Sequence, residues 1–559
     1  MPSDQPASVP PCVLHEDEHL LVVNKPAGWN THAPAPYAGE GIYDWLKHRE
    51  PRWSRLAIIH RLDKETSGVL VFGKTPLANR SLTEQFAGRA VRKKYLLLTD
   101  REPKQREFTA KSKITRAGER YISGALGEAA ETSFFVAADV RRLKSEISGQ
   151  RAAARIQSEP PHVGCYEIIA EPHTGRTHQI RVHAAEHGFP ILGDTLYGGS
   201  PFPRVCLHAA ELHFNHPATN EPVTYTAPVD FAADSRLTLR AAIITPEQTD
   251  AFRLIHGASD GWPGWYVEQL GAMQLSQGDA PFSPAQREHL ESLLTPHVAR
   301  VHHKTLSRHV RGATPAETSP QLVCGPAAPE RFVIRENSVK FEMSFNEGYS
   351  VGLFLDQRDN RRRFLTGHIA ADFQFPNSNF QIGNGKLEIL NTFAYTCGFS
   401  VCAALGGART TSLDLSKKYL EWGKRNFALN GLDPAAHDFI YGDTFDWLRR
   451  LAKKGRAYDV VILDPPTFSQ SKESGVFRAE KDYGKLVTAT LAVLKPGGVL
   501  LASTNAAELP PEKFLDQITA ATRATGRKIV QQHYVPQPPD FPISHAEPAY
   551  LKTVWLRIA

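Results

Sequence analysis

The chain has 559 residues, of which 41% are hydrophobic and 22% are charged, and its formal net charge is +6. This length exceeds what one hydrophobic core organises, so we expect about three or four domains. The composition is ordinary for a globular protein and excludes a disordered or fibrous chain. The mildly basic balance is compatible with an RNA partner but is common among soluble enzymes as well.

The cysteines and the N-terminal segment indicate a compartment. The six cysteines are scattered without a C-x-x-C pair, which predicts reduced thiols. Residues 1–11 are polar and proline-rich and lack the apolar centre of a signal peptide. No stretch approaches the ~20 apolar residues that a membrane span needs. We therefore expect a cytoplasmic protein with no membrane partner and with residues 1–12 disordered.

The first informative stretch is residues 60–70, which read HRLDKETSGVL. Strand-like segments at 56–59 and 69–72 flank it, so Asp63 lies at the end of an element, where side chains meet substrates. Arg61 and Asp63 point to the same side of an extended chain, and Arg61 can orient the carboxylate or reach a phosphate. Residue types alone leave two readings, a nucleophilic or basic carboxylate in a cationic site and a surface ion pair.

This stretch resembles the signature of the RluA-type pseudouridine synthases, and further matches follow in the family's order. They are residues 13–28, the basic segment Arg92-Lys93-Lys94-Tyr95, residues 173–183 (HTGRTHQIRVH), residues 193–199 (GDTLYGG) and residues 207–212 (LHAAEL). The resemblance covers about the first 230 residues. It implies a synthase catalytic domain over residues 13–232, with a mixed, mainly antiparallel sheet.

The resemblance also implies roles for four residues. Asp63 is the catalytic aspartate, which either attacks the anomeric carbon or removes a ribose proton. Arg181 pairs with Asp63 and keeps it ionised. Tyr95 stacks on the extruded base or transfers a proton, and Arg61 fills the space of the base or binds the RNA backbone. The isomerisation needs no cofactor. No metal is expected, because the nearby histidines lack metal-ligand spacing, namely His60, His178 and His183.

Two segments before the C-terminal half are candidates for RNA contact. The basic insert 141–155 is either such a contact or a solvated loop. Residues 236–337 are predicted to form a small central α/β domain with a Pro- and Ala-rich loop near 312–328. Its aromatic and basic side chains either line an RNA path or belong to the core and surface, namely Trp262, Trp265, Tyr266, His302, His303 and Lys304.

A second pattern begins at residue 386. The apolar run 386–393, a turn containing Gly398 and a helix-like segment at 401–405 are typical of a nucleotide-binding α/β unit. Asp414, Asp443 and Asp464 each follow a later strand-like segment, at the sheet edge where doubly wound folds bind ligands. The G-x-G-x-x-G fingerprint of nicotinamide cofactors is missing. S-adenosylmethionine, which has no pyrophosphate, does not need it.

Residues 341–559 resemble class I ribosomal RNA methyltransferases of the RlmI and RlmK type. Residues 352–361 (GLFLDQRDNR) are similar to a family motif that contacts the methyl donor, and residues 248–264 are similar to the start of the family's central domain. The resemblance implies a Rossmann-like fold over 338–559 and S-adenosylmethionine as cofactor. The residues that it assigns to the cofactor are Gln357, Arg358, Asn391, Phe393, Tyr395, Gly398, Asp414, Asp443 and Asp464, and Asp464 is also assigned to catalysis.

The methylated atom is predicted from a missing thiol. Methylation at carbon 5 of cytosine needs a cysteine thiolate that adds to the ring, whereas residues 501–507 (LASTNAA) contain no cysteine at the family position. A base nitrogen needs no such activation, and the segment with Asn505 resembles the 7-methylguanosine branch. Three helix residues add to this resemblance, with helix packing and capping as the alternative, namely Trp422, Asn426 and Asn430.

One departure from the family stands in the donor turn. Cys397 replaces the first of two family glycines, and we expect it to crowd the methionine part of the donor or to strain the turn. A spent methyltransferase domain that serves as an RNA-binding or assembly module is therefore the alternative to an active one.

Together these observations predict an α/β multidomain, bifunctional RNA modification enzyme. It isomerises uridine to pseudouridine and methylates a base in RNA, with guanine N7 of 23S rRNA ahead of cytosine C5, and ribosomal RNA ahead of transfer RNA.

Overall fold

The computed structural model describes residues 9–139, 165–293, 300–306, 318–347, 350–376, 387–471, 473 and 475–559. Internal contacts separate it into two compact units. Unit 1 comprises Met1–His32, Gly41–Asp44 and Arg55–Ile243, and unit 2 comprises Ala33–Glu40, Trp45–Ser54 and Ile244–Ala559. The basic insert 141–155 and the first part of the Pro- and Ala-rich loop, 312–317, lie outside the described residues.

Unit 1 is built on one mixed sheet of eleven strands. The strands are Val13–Glu16 (β1), Leu20–Lys25 (β2), Ala57–Ile58 (β3), Ser67–Gly73 (β4), Arg92–Thr99 (β5), Glu107–Ala117 (β6), Arg120–Ser123 (β7), Glu128–Asp139 (β8), Tyr166–Pro172 (β9), Leu207–Asn215 (β10) and Pro222–Thr226 (β11). The order is β1-β2-β4-β10-β5-β9-β8-β6-β7, with β11 beside β10 and β3 beside β4. Only β4 and β10 pair in parallel among the described strands of this sheet, which confirms the predicted mixed, mainly antiparallel fold.

The helices of this half are Ile42–Arg49 (α1), Pro76–Ala87 (α2), Gln179–Glu186 (α3) and Ser235–Ile243 (α4), and α1 crosses the division between the units. Helix α2 begins at a proline, and the Thr75 side chain accepts a hydrogen bond from the Ala78 backbone, as expected of an N-cap. Helix α3 buries Ile180 and Ala184 against sheet residues such as Leu97 and Ile168. The sheet and α3 therefore share the core that supports the loops described below.

The N-terminal prediction fails at Cys12. This residue is buried, its backbone nitrogen donates to Ala242 at 3.0 Å, and its carbonyl accepts from Asn24 at 2.7 Å. A segment whose backbone groups are paired in this way is ordered, so disorder does not extend to residue 12.

Unit 2 opens with a five-stranded sheet in the order β12-β13-β14-β15-β16. Its strands are Ala251–His256 (β12), Trp265–Leu270 (β13), Met273–Gly278 (β14), Val301–Thr305 (β15) and Gln321–Cys324 (β16), with the helix Pro284–Leu293 (α5). A hairpin of Phe332–Glu336 (β17) and Val339–Met343 (β18) follows. The predicted boundary at residues 337 and 338 falls on the turn of this hairpin. Leu275, Ile334, Phe341 and Val460 lie in one hydrophobic cluster, so this region shares its core with the C-terminal sheet.

The central sheet corrects the proposed RNA path. Trp265 and His302 are buried, as are His303 and Lys304. Trp265 donates to Ser276 at 2.8 Å, and the Ser276 hydroxyl bonds His303 at 2.8 Å. Because all four side chains are buried, they do not form a surface for RNA.

The remaining part of unit 2 contains a seven-stranded sheet in the order β23-β22-β21-β24-β27-β29-β28. The first five strands of this order run parallel and the last two join antiparallel. This is the Rossmann-like arrangement that was predicted. The strands are His368–Ala370 (β19) and Phe373–Gln374 (β20) in a separate pair, then Glu388–Thr392 (β21), Arg409–Asp414 (β22), Asp438–Tyr441 (β23), Tyr458–Leu463 (β24), the hairpin Phe468–Ser471 (β25) and Gly475–Arg478 (β26), Leu494–Thr504 (β27), Ile529–Val535 (β28) and Lys552–Ile558 (β29).

The helices of this region are Arg358–Thr366 (α6), Gly398–Leu405 (α7), Lys417–Leu429 (α8), Thr444–Lys453 (α9), Ala479–Leu491 (α10) and Pro511–Ala524 (α11). Strand β24 is almost wholly buried, as expected of a parallel strand covered on both faces. Among the described residues, no helix is long and apolar enough to cross a membrane.

Candidate active sites

The loop that carries Asp63 joins β3 to β4 in unit 1 and is fixed through its backbone. The Thr31 hydroxyl donates to the Leu62 carbonyl at 2.8 Å, and the Gly28 nitrogen donates to the Lys64 carbonyl at 2.8 Å. The ammonium of Lys25 reaches the same Lys64 carbonyl at 3.2 Å. Asp63 is half-buried between these anchored residues, so its carboxylate is presented by a rigid loop.

Lys25 is fully buried beneath this loop. It also donates to the carbonyls of Pro26 at 3.0 Å and Trp29 at 2.7 Å. Burial lowers the pKa of Lys25 to about 7, and the charges of Glu65 and Asp63 partly oppose this shift. The lysine therefore binds the loop mainly through backbone carbonyls.

Gly68 is required where the loop enters β4. Its φ is +120°, and a Cβ there would lie 2.2 Å from the Ala209 carbonyl oxygen of β10. The parallel pairing of β4 with β10 at this point leaves no room for a side chain.

Two further predicted residues surround Asp63. Tyr95 lies on β5, where burial, with a contribution from the charge of Asp63, raises its pKa. Its phenol is therefore neutral over the physiological range. Arg61 is exposed and donates to the Thr177 hydroxyl at 2.9 Å, which leaves much of its guanidinium accessible from solvent.

Arg181 has a different partner from the predicted one. It lies on α3, and it donates from Nε and Nη2 to the two carboxylate oxygens of Asp194, both at 2.7 Å. Its Nη1 is 3.7 Å from Glu65. Among the described residues, Asp63 forms no ion pair within 4 Å, so the predicted direct pair of Arg181 with Asp63 is wrong. Asp194 was missed, although it stands in the GDTLYGG motif.

The second site is a cavity of about 790 Å³ at the carboxyl edge of the seven-stranded sheet in unit 2. Its volume falls in the range of pockets for small molecules, roughly 300–1,000 Å³. The predicted residues that line it are Gln357, Phe393, Tyr395, Gly398, Asp414, Asp443 and Asp464.

Two residues assigned to the cofactor do not line this cavity. The guanidinium of Arg358 turns to Asp540 and donates to its two oxygens at 2.8 and 2.6 Å. The amide of Asn391 donates to the Ser400 hydroxyl at 2.9 Å inside the core. Both are committed to buried polar contacts, so their direct assignment to the cofactor is wrong.

The turn between β21 and α7 has an unusual backbone. Phe393, Tyr395 and Cys397 all have positive φ, at 57°, 49° and 64°. The Asp414 carboxylate accepts from the Tyr395 nitrogen at 2.8 Å and from the Ser416 nitrogen at 2.8 Å. Left-handed residues other than glycine cluster at ligand-binding turns, where the surroundings stabilise them.

Cys397 strains this turn but does not crowd the cavity. It is fully buried, and its sulfur packs against Gly423 of α8, where a Cβ would lie 2.3 Å from it. Burial raises the pKa of the Cys397 thiol to about 12, so it is not a nucleophile at neutral pH. Of the two expected effects, strain is therefore present and obstruction of the cavity wall is not.

Asp464 lies at the end of β24 in a polar network. Gln357 donates to it at 3.3 Å and to the Ser503 hydroxyl at 2.7 Å. Burial and the neighbouring charge of Asp356 raise the pKa of Asp464 to about 7. Asp356 also lines the cavity and accepts from the Tyr550 hydroxyl at 3.0 Å. It was missed, although it directly precedes Gln357 in the GLFLDQRDNR motif.

The helix residues that favoured the 7-methylguanosine branch have structural roles. Trp422 donates to the Glu342 carbonyl of β18 at 3.1 Å, and Asn430 accepts from the Lys340 nitrogen at 2.9 Å. Asn426 donates to the Thr396 carbonyl at 2.9 Å. All three tie α8 to β18 or to the donor turn and none lines the cavity, whereas Asn505 does.

The described residues bring one group of metal-ligand types together, namely Glu40, His48 and His533. The His48 Nδ1 accepts from the Ala371 nitrogen at 3.2 Å, which puts the ring proton on Nε2 and leaves no lone pair for a metal. Burial, helped by the charge of Arg363, lowers the pKa of His48 to about 3. The same surroundings disfavour a metal cation, so this group does not indicate a metal site.

S-adenosylmethionine fits the residues of the cavity. Asp414 and Asp443 supply carboxylate acceptors at the ends of neighbouring parallel strands, where ribose hydroxyls and an ammonium group need them. Tyr395, Phe399 and Phe445 give the wall an aromatic lining. A sulfonium cation gains from both carboxylates and aromatic faces.

Comparisons with known proteins agree with this geometry. Residues 19–186 match the family described as RNA pseudouridylate synthase, and residues 253–557 match the S-adenosylmethionine-dependent methyltransferases. A ribosomal RNA large subunit methyltransferase of Deinococcus radiodurans is 34% identical over 355 residues, which cover 62% of this chain and 82% of that protein.

Two further relatives are the ribosomal RNA large subunit methyltransferases named I and K. The ribosomal RNA large subunit methyltransferase I of Klebsiella pneumoniae is 31% identical, with 57% of this chain and 77% of that protein covered. The ribosomal RNA large subunit methyltransferase K of Neisseria meningitidis is 38% identical over 180 residues, with 32% of this chain and 46% of that protein covered.

Proposed function

We propose that this chain, a member of the S-adenosylmethionine-dependent methyltransferases that also carries an RNA pseudouridylate synthase domain, is a bifunctional enzyme that modifies large-subunit ribosomal RNA. One site isomerises a uridine to pseudouridine, and the other methylates a guanine at N7. The ribosomal substrate is supported by the names of the relatives. Both reactions need a base outside its helix, which gives a physical reason to join them in one chain.

In the synthase site, we assign the reacting carboxylate to Asp63. It acts at the ribose of the flipped uridine, as nucleophile or as base, while the N-glycosidic bond breaks and the base reattaches through carbon. Tyr95 offers its ring to the base and a neutral hydroxyl for proton transfer. Arg61, which is exposed beside the loop, contacts the RNA backbone or occupies the space that the base leaves.

The nitrogen target rests on the positions of the cysteines. All six cysteines lie among the described residues, and none lines the methyltransferase cavity. Carbon 5 of cytosine reacts only after a thiolate adds to the ring, and this cavity offers no thiolate. Guanine N7 carries a lone pair of its own, so methylation at this atom would need no thiolate from the protein. Asp464 and Asn505 line the cavity and are the polar groups that we assign to the target base.

In the donor site, S-adenosylmethionine supplies an electrophilic methyl group. Asp414 holds the turn 393–397 closed through the Tyr395 nitrogen and offers its remaining acceptor capacity to the ribose. Gln357 is held in its orientation by Asn360, which donates to its oxygen at 2.8 Å. Gln357 in turn fixes the position of Asp464.

The test uses the purified full-length chain, isotopically labelled S-adenosylmethionine and large-subunit ribosomal RNA from a strain that lacks the gene. Nucleoside mass spectrometry is expected to show labelled 7-methylguanosine and new pseudouridine. Labelled 5-methylcytidine would overturn the nitrogen target. Absence of any label, together with no S-adenosylmethionine binding by calorimetry with or without RNA, would favour the alternative of a spent domain that only binds RNA.

The matched control for the pseudouridine synthase activity is Asp63→Asn. It should abolish pseudouridine formation without changing the fold, which circular dichroism reports. An Asp63→Asn enzyme with full pseudouridine formation would contradict the assignment of this site.

A further inference from the structure

The GDTLYGG turn, residues 193–199, carries two side chains for which the proposed mechanism has no role. Asp194 and Tyr197 lie at either end of the short helical turn Thr195–Tyr197, just after α3. Asp194 is almost completely buried, and Tyr197 is half-buried. Both contact Arg181, so this turn is part of the surroundings of the synthase site.

The guanidinium of Arg181 is fixed from two directions. Asp194 binds its Nε and Nη2 with two parallel hydrogen bonds of 2.7 Å, the bidentate geometry that restricts a guanidinium most strongly. The ring of Tyr197 lies against the guanidinium, 5.0 Å from its central carbon. Only the Nη1 edge remains, and it is directed toward Glu65 of the catalytic loop at 3.7 Å.

Tyr197 is itself held in place. Its hydroxyl accepts from the Tyr121 nitrogen at 2.8 Å and bonds the His178 ring at 2.8 Å. His178 precedes α3 in a left-handed conformation, with φ of 56°. The chain therefore uses a strained residue and an aromatic ring to define the place of one arginine.

Asp63 lies within electrostatic range of this assembly. After burial, the negative charge of Asp63 contributes to the pKa shifts of the charged and titratable groups around it, namely Lys25, Tyr95, His178, Arg181 and Tyr197. Glu65 adds a second negative charge near Arg181. Asp194 thus takes the direct contacts of Arg181, and Asp63 keeps its oxygens available for substrate.

We propose that Asp194 and Tyr197 are positioning residues of the synthase reaction, which hold the Arg181 guanidinium so that its Nη1 edge faces the catalytic loop while the Asp63 carboxylate stays unpaired. This inference rests on the proposed function of the synthase site. The partner of Arg181 is therefore Asp194, whereas the family resemblance had implied Asp63.

A physical reason favours the pairing of Arg181 with Asp194 rather than with Asp63. A carboxylate in a bidentate pair with arginine has its lone pairs occupied and must break that pair before it can act at a ribose. An arginine held by another carboxylate still supplies positive potential at the reacting group without occupying it. Positioning of this kind acts mainly on the transition state, so its loss should lower kcat more than it raises KM.

The first test is Asp194→Asn in the full-length chain, assayed by tritium release from RNA labelled at uridine carbon 5. We expect kcat to fall by about 10- to 100-fold, with KM for RNA within about threefold of its original value.

Two further variants keep the test decisive if Asp194→Asn folds poorly. Tyr197→Phe keeps the ring against Arg181 but loses both bonds of the hydroxyl, and it should lower kcat by a smaller factor, about three- to tenfold. In an Arg181→Ala background, Asp194→Asn should change kcat by less than about threefold, since its effect acts through the arginine. Glu16→Gln, which disrupts the half-buried Lys74–Glu16 pair of the same unit, is the matched control.

The outcomes separate this inference from the function beneath it. An inactive Asp63→Asn together with fully active Asp194→Asn and Tyr197→Phe would overturn the positioning role alone. Additive losses in the Arg181→Ala background would overturn it as well. An Asp63→Asn enzyme that still forms pseudouridine would instead overturn the proposed synthase site.

Discussion

At the residue scale, Asp464 makes the donor site sensitive to pH. Its pKa is raised to about 7 by burial and by Asp356, so the carboxylate becomes charged as pH rises through neutrality. S-adenosylmethionine carries a sulfonium cation, which binds an ionised cavity more tightly. We expect its affinity to rise between about pH 6 and about pH 8, by up to about tenfold for each pKa unit by which binding shifts Asp464.

Calorimetry at several pH values measures this effect, and S-adenosylhomocysteine, which lacks the sulfonium charge, is the matched ligand. Its affinity should change little over the same range, and Asp464→Asn should flatten the curve for S-adenosylmethionine. Equal pH dependence of the affinity for both ligands would contradict this prediction.

The effect of Asp464 on folding stability has the opposite sign from that of an ordinary salt-bridged aspartate. A carboxyl whose pKa is raised on folding stabilises the fold at low pH and loses that contribution as pH rises through about 7.

The raised pKa of Tyr95 predicts that the pH profile of pseudouridine formation lacks an alkaline limb from this residue. Burial and the charge of Asp63 raise its pKa, so its phenol stays protonated below about pH 10. The kcat/KM for pseudouridine formation should therefore show no alkaline limb from Tyr95 between about pH 7 and about pH 10. Tyr95→Phe is the control, because a limb that is present in the original enzyme and missing in this variant would show that Tyr95 titrates.

The sequence was informative about which residues belong to the motifs of the two sites and less informative about where their side chains point. Asp63, Tyr95 and Asp464 fall where their motifs placed them, at the ends or along the strands of the two sheets. Arg358 and Asn391 stand in the right motifs, but their side chains point into buried polar contacts. Side-chain direction depends on the exact phase of a strand or helix and on partners far along the chain, such as Asp540. Motif order does not contain that information.

At the element scale, fold class and strand positions followed from short-range patterns, whereas partners across elements did not. The parallel strands of unit 2 read as apolar runs followed by aspartates, and they form the predicted sheet. The central domain misled because aromatic and basic residues are typical both of RNA surfaces and of cores. Trp265 and His303 share a buried serine, a contact between two strands that composition does not specify.

The donor turn and α8 form a complementary pair of elements. Cys397 occupies a left-handed position that favours glycine, and its sulfur fills the space over Gly423. Gly423→Ala should therefore destabilise the methyltransferase region by about 1–3 kcal/mol through overpacking. In a Cys397→Gly background the same alanine should be tolerated, since the sulfur is gone and alanine favours a helix.

The measurement is the denaturation midpoint of the transition that S-adenosylhomocysteine raises. Gly484→Ala in α10 is the matched control, because its nearest atoms lie 3.6 and 3.9 Å from the added carbon. That variant should be neutral or slightly stabilising. If Gly423→Ala lowers the midpoint equally with and without Cys397, the packing of the sulfur is not its cause.

At the scale of the whole molecule, the described residues of each active site belong to a single unit. The described residues that line the donor cavity all belong to unit 2. The Asp63 loop, Tyr95, Arg181 and Asp194 all belong to unit 1. Because the described residues of the two sites belong to different units, the two activities should be separable by substitution.

Two variants on one RNA substrate test this separation. Asp63→Asn should abolish pseudouridine formation and leave the rate of methyl transfer within about twofold, because substitutions far apart with no shared partners act independently. Asp414→Ala should abolish methyl transfer, since it removes the carboxylate that closes the donor turn, and leave pseudouridine formation within the same limit. Tritium release and methyl incorporation, followed in parallel, report both rates. A loss of methyl transfer above about tenfold in Asp63→Asn, with S-adenosylmethionine binding intact, would show that the methyltransferase acts on RNA that the synthase site has already bound or modified.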